Sequence, residues 1–279
     1  MKYKIVVDSC CDLPVEYRNN EHFVFVPLTL SVDNVNIIDD ETFDQLDFIN
    51  RMKKSENCPK SACPSPDAYA KAYQTEEKTD IYVVTLSSKL SGSCNSAEIG
   101  KGIYMEEIGT NNVFVCDSKS ASAGEGVIAL KLLELCESGK TFDEVCEIIT
   151  KFRDNMGTYF VLESLENLRK NGRLSNVKAF LAQALHIKPI MGADDGDIVQ
   201  LEQVRGMNKA LKKLVETVND NTQDKSDKVL SIAHCNCEDR ANVLKEAFLK
   251  DSAYKDVIVV ETRGVSTLYA NDGGVIISV

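Results

Sequence analysis

Apolar and polar positions along the chain switch between two periods. Continuous or alternating apolar runs predict strands over residues 3–8, 23–30, 80–86 and 113–117, with residues 32–38 returning as a hairpin partner for the second. Residues 42–53 carry Phe43, Leu46, Ile49 and Met52 at spacings of three, the stripe of a helix. Two further helices, 123–137 and 142–153, are divided by Ser138-Gly139-Lys140, and the second shows Phe142, Val145, Cys146, Ile149 and Phe152 on one face. A strand at 158–162, a helix at 176–185 and a short extended segment at 187–190 follow. Asp194-Asp195-Gly196-Asp197 lies between extended arms and predicts a hairpin turn. Met207, Ala210, Leu211, Leu214, Val215 and Val218 trace the apolar face of a helix. A strand at 229–233, a helix at 239–250 and strands at 257–261 and 274–279 complete the pattern.

Strands alternating with helices predict an α/β protein with mainly parallel, doubly wound sheets. The length of 279 residues suits two domains, 1–155 and 156–279, divided near Asn155-Met156-Gly157. Acidic residues outnumber basic ones by 43 to 32, a net charge of −11, which argues against binding nucleic acid or an anionic membrane surface. The charge is uneven, because residues 156–221 hold nine Lys and Arg against eight Asp and Glu. No apolar run approaches the roughly 18 residues of a membrane span. The N-terminus lacks the apolar core and cleavage site of a signal peptide, which predicts a cytoplasmic protein. Ten cysteines then read as reduced, mostly buried thiols.

Several chemistries lack their motif. There is no G-x-x-x-x-G-K-[ST] and no G-x-S-x-G. Gly124-Glu125-Gly126-Val127-Ile128-Ala129 starts about seven residues past the strand before it, too far for a dinucleotide turn. These glycines read as close helix packing. His234-Cys235-Asn236-Cys237 lacks the paired spacing of a zinc site. No metal or cofactor is expected.

What remains is a set of hydroxyl-rich segments at strand ends: Asp8 to Pro14, Ser61 to Asp67, Ser87 to Ser96 and Asp117 to Ser122. In a parallel α/β sheet they gather at the carboxyl edge, where helix N-termini and hydroxyls offer donors to an anion. Ser65 suits a helix N-cap, with Pro66 at the first helical position, and Ser91 suits another. No adjacent base activates any of these serines, which favours binding an anion over attacking it. Arg173 beside Gly172 and Arg205 beside Gly206 sit at segment ends, where a guanidinium can aim at an anion.

These segments resemble the DegV family of bacterial fatty-acid-binding proteins. The family's D-S-x-x-D-L-P is Asp8 to Pro14, and its T-S-x-P-S is similar to Ser61-Ala62-Cys63-Pro64-Ser65. Its S-S-x-L-S-G-T-x-x-S-A is similar to Ser87 to Ala97, with Ser93 in the Thr place, and its D-S-x-S-x-S is Asp117 to Ser122. Asn171-Gly172-Arg173-Leu174-Ser175 corresponds to G-G-R-I-S, and Lys188-Pro189-Ile190, Asp195-Gly196 and Arg205 to K-P-I…D-G…R. The matches run in order along nearly the whole chain.

The resemblance implies two α/β domains with a long-chain fatty acid in a tunnel between them. Its carboxylate would be bound by Ser61, Ser91, Gly92 and Ser93, and presented to a separate ATP-dependent fatty acid kinase. Arg173 and Arg205 would lie on the face that meets the kinase or the nascent phosphate. The family's C-terminal H-x-G-P-G is similar to Ala270-Asn271-Asp272-Gly273-Gly274, so Ala270 stands where the histidine would be, leaving Tyr269 or Asn271 as substitute donors. Phe160, Leu162, Leu165, Leu168, Phe180, Ile187 and Ile190 are candidates for the tunnel wall, with plain core packing as the simpler reading of each. The competing reading is a serine-dependent phosphotransferase or hydrolase with Ser91 or Ser93 as nucleophile. A third is a scaffold whose lipid is structural.

Overall fold

The computed structural model describes residues 2–107, 109, 111–174, 186–251 and 254–279. It opens with β1 (Tyr3–Asp8), a single turn α1 (Val15–Arg18) and β2 (Phe23–Val26), which lies parallel to β1. Pro27 has no N–H for the ladder, and the chain leaves the sheet there. The apolar run 23–30 is therefore two strands in different sheets. The second, β3 (Thr29–Val32), turns through Asp33-Asn34, both at positive φ, into its hairpin partner β4 (Val35–Ile38). Helix α2 (Gln45–Lys54) starts where the Asp44 carboxylate accepts from the Asp47 N–H at 2.8 Å. Then β5 (Lys60–Ala62), expected as a loop, pairs with the free edge of β3 and completes a small antiparallel sheet ordered β4-β3-β5.

The rest of the first half alternates as expected: α3 (Pro66–Ala72), β6 (Asp80–Thr85), α4 (Ser93–Glu107), β7 (Val113–Asp117), α5 (Ala123–Glu137) and α6 (Phe142–Asp154). The sheet β2-β1-β6-β7 is parallel throughout. Tyr69, Tyr73 and Tyr104 of α3 and α4 cover one face, and Ile128, Leu132, Val145 and Ile149 of α5 and α6 cover the other. The expected glycine packing is real: a Cβ on Gly126 would come within 2.4 Å of the Asp12 carbonyl oxygen.

The second half contains β8 (Thr158–Val161), α7 (Glu166–Lys170), β9 (Ile187–Asp194), β10 (Asp197–Arg205), α8 (Met207–Asn221), β11 (Val229–His234), α9 (Glu238–Asp251), β12 (Asp256–Glu261), α10 (Gly264–Ala270) and β13 (Val275–Ser278). The helix expected over 176–185 lies outside the described residues. Six strands form one sheet, β10-β9-β8-β13-β11-β12. Here the parallel expectation gives way, for only β11 and β12 run parallel. A two-residue turn can join only antiparallel strands, and Asp195-Gly196 is such a turn. Of the consecutive strands in this sheet, only β11 and β12 have a whole helix, α9, as a parallel crossover. Helices α8 and α9 bury one face of the sheet through Ala210, Leu214, Val218, Leu244 and Phe248. On the other face, Ala233 and Ile276 meet Ala123 of α5, which is therefore apolar nearly all round.

Candidate functional site

A cavity of about 340 Å³ lies between the two larger sheets and the small one, within the range of about 300–1,000 Å³ common for ligand pockets. Its wall is mostly apolar: Leu86 and Leu90 come from the first half, and Phe160, Leu162, Ile198 and Ile276 from the second. Of the tunnel candidates, Phe160, Leu162 and Leu168 line it. Leu165 packs in the cluster beside it, Ile190 belongs to the core under α8, and Ile187 is not in the lining. Phe180 lies outside the described residues.

Hydroxyls face the cavity in two sets with different fates. Ser120 bonds Thr158 at 2.7 Å, Ser122 donates to Asp12 at 2.6 Å, and Ser266 donates to the Cys10 carbonyl at 3.4 Å. These are wall groups already satisfied by protein. The loop Asp117–Ser122 thus contributes wall rather than free donors. At another part of the cavity Lys119 is spent on Asp195 at 2.6 Å and Asp154 at 3.2 Å.

The second set is Ser61, Ser91, Ser93 and Tyr269. The Ser61 hydroxyl lies 2.9 Å from the Tyr269 hydroxyl. The Ser91 hydroxyl lies 3.1 Å from that of Ser93 and accepts from the Ser93 N–H at 3.2 Å. Ser91 thus stands two residues before the first residue of α4, serving its N-terminus from outside the cap position. Gly92 allows close approach there, since a Cβ would sit 3.0 Å from the Cys63 sulfur. Ser61, Ser91, Gly92, Arg173 and Tyr269 all line the cavity. Ser93 is fully buried behind them. Arg173 holds its guanidinium 5.5 Å from the Tyr269 ring centroid, donating to the Leu90 carbonyl at 3.2 Å and the Asn171 carbonyl at 2.6 Å. Arg205 is exposed at the end of β10 opposite the Asp195-Gly196 turn and is not in the lining.

The first loop works as scaffold. Ser9 donates to Asp39 at 2.9 Å, and Asp39 in turn accepts from the Gly264 and Val265 N–H groups at 2.8 and 2.9 Å. Asp12 accepts from the Arg263 N–H at 2.7 Å. First-half carboxylates therefore anchor α10, the helix that carries Tyr269. Burial pushes the Asp39 carboxyl up and the Asp12 carboxyl up to about 6, while the Ser122 hydroxyl and other donors pull Asp12 back. Burial also raises Tyr269, with Ser61 and Arg173 opposing it, so its hydroxyl stays protonated at neutral pH.

The family model for DegV, described as an uncharacterised protein of the DegV family, matches residues 2–279. The chain belongs to the DegV family. A DegV domain-containing protein of Streptococcus pneumoniae is 33% identical over 280 residues, covering 99% of this chain and 98% of its own. A DegV family protein from Ruminococcus gnavus, solved with vaccenic acid, superposes with a TM-score of 0.96 at 44% identity, covering 99% of each chain. The S. pneumoniae fatty acid kinase (Fak) B3 protein, loaded with linoleic acid, gives 0.90 at 31% identity, covering 100% of this chain and 99% of that one.

In this DegV chain Ala270 lies buried in the cavity wall. Of the two substitutes, Asn271 is occupied: its amide donates to the Ser164 and Tyr269 carbonyls at 3.1 and 3.2 Å, and its oxygen accepts from Asn167 at 2.9 Å. Tyr269 is the hydroxyl that reaches Ser61. The sequence pattern missed α10 altogether. Its seven residues are too few for a visible period, and its N-cap, Arg263, makes no side-chain cap that could mark the start.

Proposed function

We propose that this DegV protein binds a long-chain fatty acid, its chain in the cavity and its carboxylate at Ser61, Ser91 and Tyr269. The observation that carries the reading is the uneven placement of spare donors along an apolar cavity. Ser61 and Tyr269 own two protons and use one between them. Ser91 and Ser93 likewise share a single hydroxyl–hydroxyl contact, with the Ser91 oxygen also accepting from the Ser93 N–H. These groups, with Gly92 and the buried Ser93 behind them, form the head-group site. Each buried methylene favours binding by roughly 0.8 kcal/mol, and the hydroxyls satisfy a desolvated carboxylate. The fatty acids in the R. gnavus and S. pneumoniae structures support the ligand class.

The carrier would be non-catalytic and without a cofactor, presenting the carboxylate to a separate ATP-dependent fatty acid kinase in the cytoplasm. The likeness to the Fak B3 protein supports this partner. Binding is favoured over attack because no histidine lines the cavity among the described residues, and Ser93 is enclosed. We assign Arg173 to the cavity mouth and Arg205 to a partner-facing surface. Residues 1–155 and 156–279 would act as two domains clasping the lipid.

Native mass spectrometry of protein purified from a bacterial host tests the ligand. The expected result is an added mass equal to one fatty acid, lost in a Ser61→Ala plus Ser91→Ala double variant. Protein that stays unliganded even after incubation with fatty acids overturns the reading.

A further inference from the structure

Glu125 has no place in the site described above, yet among the described residues it stands out as a fully buried carboxyl group without a hydrogen-bond donor to either oxygen. It lies in the first turn of α5. An ionised carboxylate left so is severely disfavoured. Its neighbour is Asp8, also fully buried, at the end of β1. Asp8 accepts from the Cys10 N–H at 3.0 Å and the Leu86 N–H at 2.9 Å, and its carboxyl lies near both Glu125 and Ser93. Burial raises the Asp8 carboxyl, and the two backbone donors pull it back towards the ionised form. A proton on Glu125 turns the contact between the two carboxyls into a hydrogen bond and leaves one negative charge shared by the pair.

We propose that Glu125 is a positioning residue for the fatty-acid carboxylate, required in its protonated form. The inference rests on the head-group site at Ser61, Ser91 and Tyr269. Protonated Glu125 holds Asp8, Asp8 holds Leu86 at the root of the Ser87–Ser93 segment, and Ser93 backs Ser91. When Glu125 ionises, two like charges face one another behind Ser93. They draw its hydroxyl inward, loosen the Leu86 contact and repel the ligand's own charge.

The other groups facing Glu125 agree with this. Cys10, Cys11 and Asp12 come from the segment after β1, and Tyr69 from α3. Burial raises both thiols and the Tyr69 phenol well above their ordinary values, so they stay neutral while Glu125 titrates. Asp12 is tied to Ser122 and the Arg263 N–H. The remaining elements packed on α5 bring Val145 and Ile149 of α6, Ala233 of β11, Ile276 of β13, and Val84 and Tyr82 of β6, the Tyr82 phenol being raised by burial. Burial, then Asp8, pushes the Glu125 carboxyl well above the usual carboxylate range.

The test is fatty-acid affinity from about pH 6 to about pH 10, with the fatty acid kept monomeric so that its carboxyl, ordinarily near about 4, stays ionised throughout. The wild type should lose affinity towards alkaline pH, by about tenfold per unit beyond the ionisation. Glu125→Gln, a neutral donor of the same shape, should bind as tightly at neutral pH and keep its affinity throughout. A flat wild-type profile, or the same alkaline loss in Glu125→Gln, overturns the inference and leaves the carrier reading standing. Absence of binding at every pH in both proteins overturns the carrier reading itself. Should the variant not fold, infrared spectra of the lipid-loaded wild type decide. The stretch of a protonated buried carboxyl should vanish in step with lipid release, and its absence at neutral pH overturns the proposal.

Discussion

At the scale of single residues, the head-group site depends on which hydroxyls still have a proton to give. Ser120, Ser122 and Ser266 look like Ser61 and Ser91 in the sequence, and all lie in or near hydroxyl-rich stretches. Residue type and loop composition do not distinguish them, and only the family resemblance singles out Ser61 and Ser91; the physical difference is made by distant partners: Thr158, Asp12 and Cys10 for the first three, Tyr269 for Ser61. Tyr269→Phe keeps the ring under Arg173 and removes only the hydroxyl. Fatty-acid affinity, measured by calorimetry, should fall roughly fivefold to tenfold, the weight of one hydrogen bond of about 1 kcal/mol. Unchanged affinity would take Tyr269 out of the head-group site. Arg205→Ala should leave lipid retention intact and slow kinase-coupled turnover, whereas loss of lipid would argue against a partner-facing role.

At the scale of elements, long periodic segments were legible and short ones were not. The stripe of α8 and the start of α6 needed no tertiary information, and the α6 capping box of Thr141 and Glu144 is local chemistry. The strands β3 and β5 and the helix α10 are short and owe their form to partners far along the chain. These three build the small sheet and the Tyr269 side of the cavity, so the part of the fold on which the proposed head-group site rests was the least visible. Helix α10 is held by close packing as well as hydrogen bonds, for a Cβ on Gly264 would come within 2.5 Å of the Asp39 carboxyl carbon. Gly264→Ala should therefore displace the start of α10 and cost about 1–3 kcal/mol in a denaturant melt. Lipid retention should fall with it, because Tyr269 rides on that helix. A variant as stable as the parent, with full retention, would contradict the anchoring role of Asp39.

At the scale of the whole molecule, the net charge of −11 hides two populations of carboxyl groups. Exposed ones such as Asp40 and Glu144 are held below their ordinary range by local hydrogen bonds, which supports the fold until acid protonates them. Asp12, Asp39 and Glu125 are buried and raised, so the folded chain binds protons more tightly than the unfolded one at these positions. Their favourable contribution is complete below the unfolded carboxyl range near about 4 and is lost as pH rises, for Asp12 through about 6. Lipid-free protein should accordingly show a higher urea midpoint at about pH 5 than at about pH 8. A midpoint that rises over that interval would mean the buried carboxyls are stabilised as ions.

The same scale holds the central claim, that one lipid lies along the cavity with its acid group at Ser61 and Ser91. A crystal structure of the protein as purified, with its bound lipid, measures this directly. The account predicts continuous acyl density past Phe160 and Ile198, ending in a carboxylate within hydrogen-bonding distance of the Ser61 and Ser91 hydroxyls. A carboxylate instead paired with Lys119, or density from anything but an acyl chain, would contradict it.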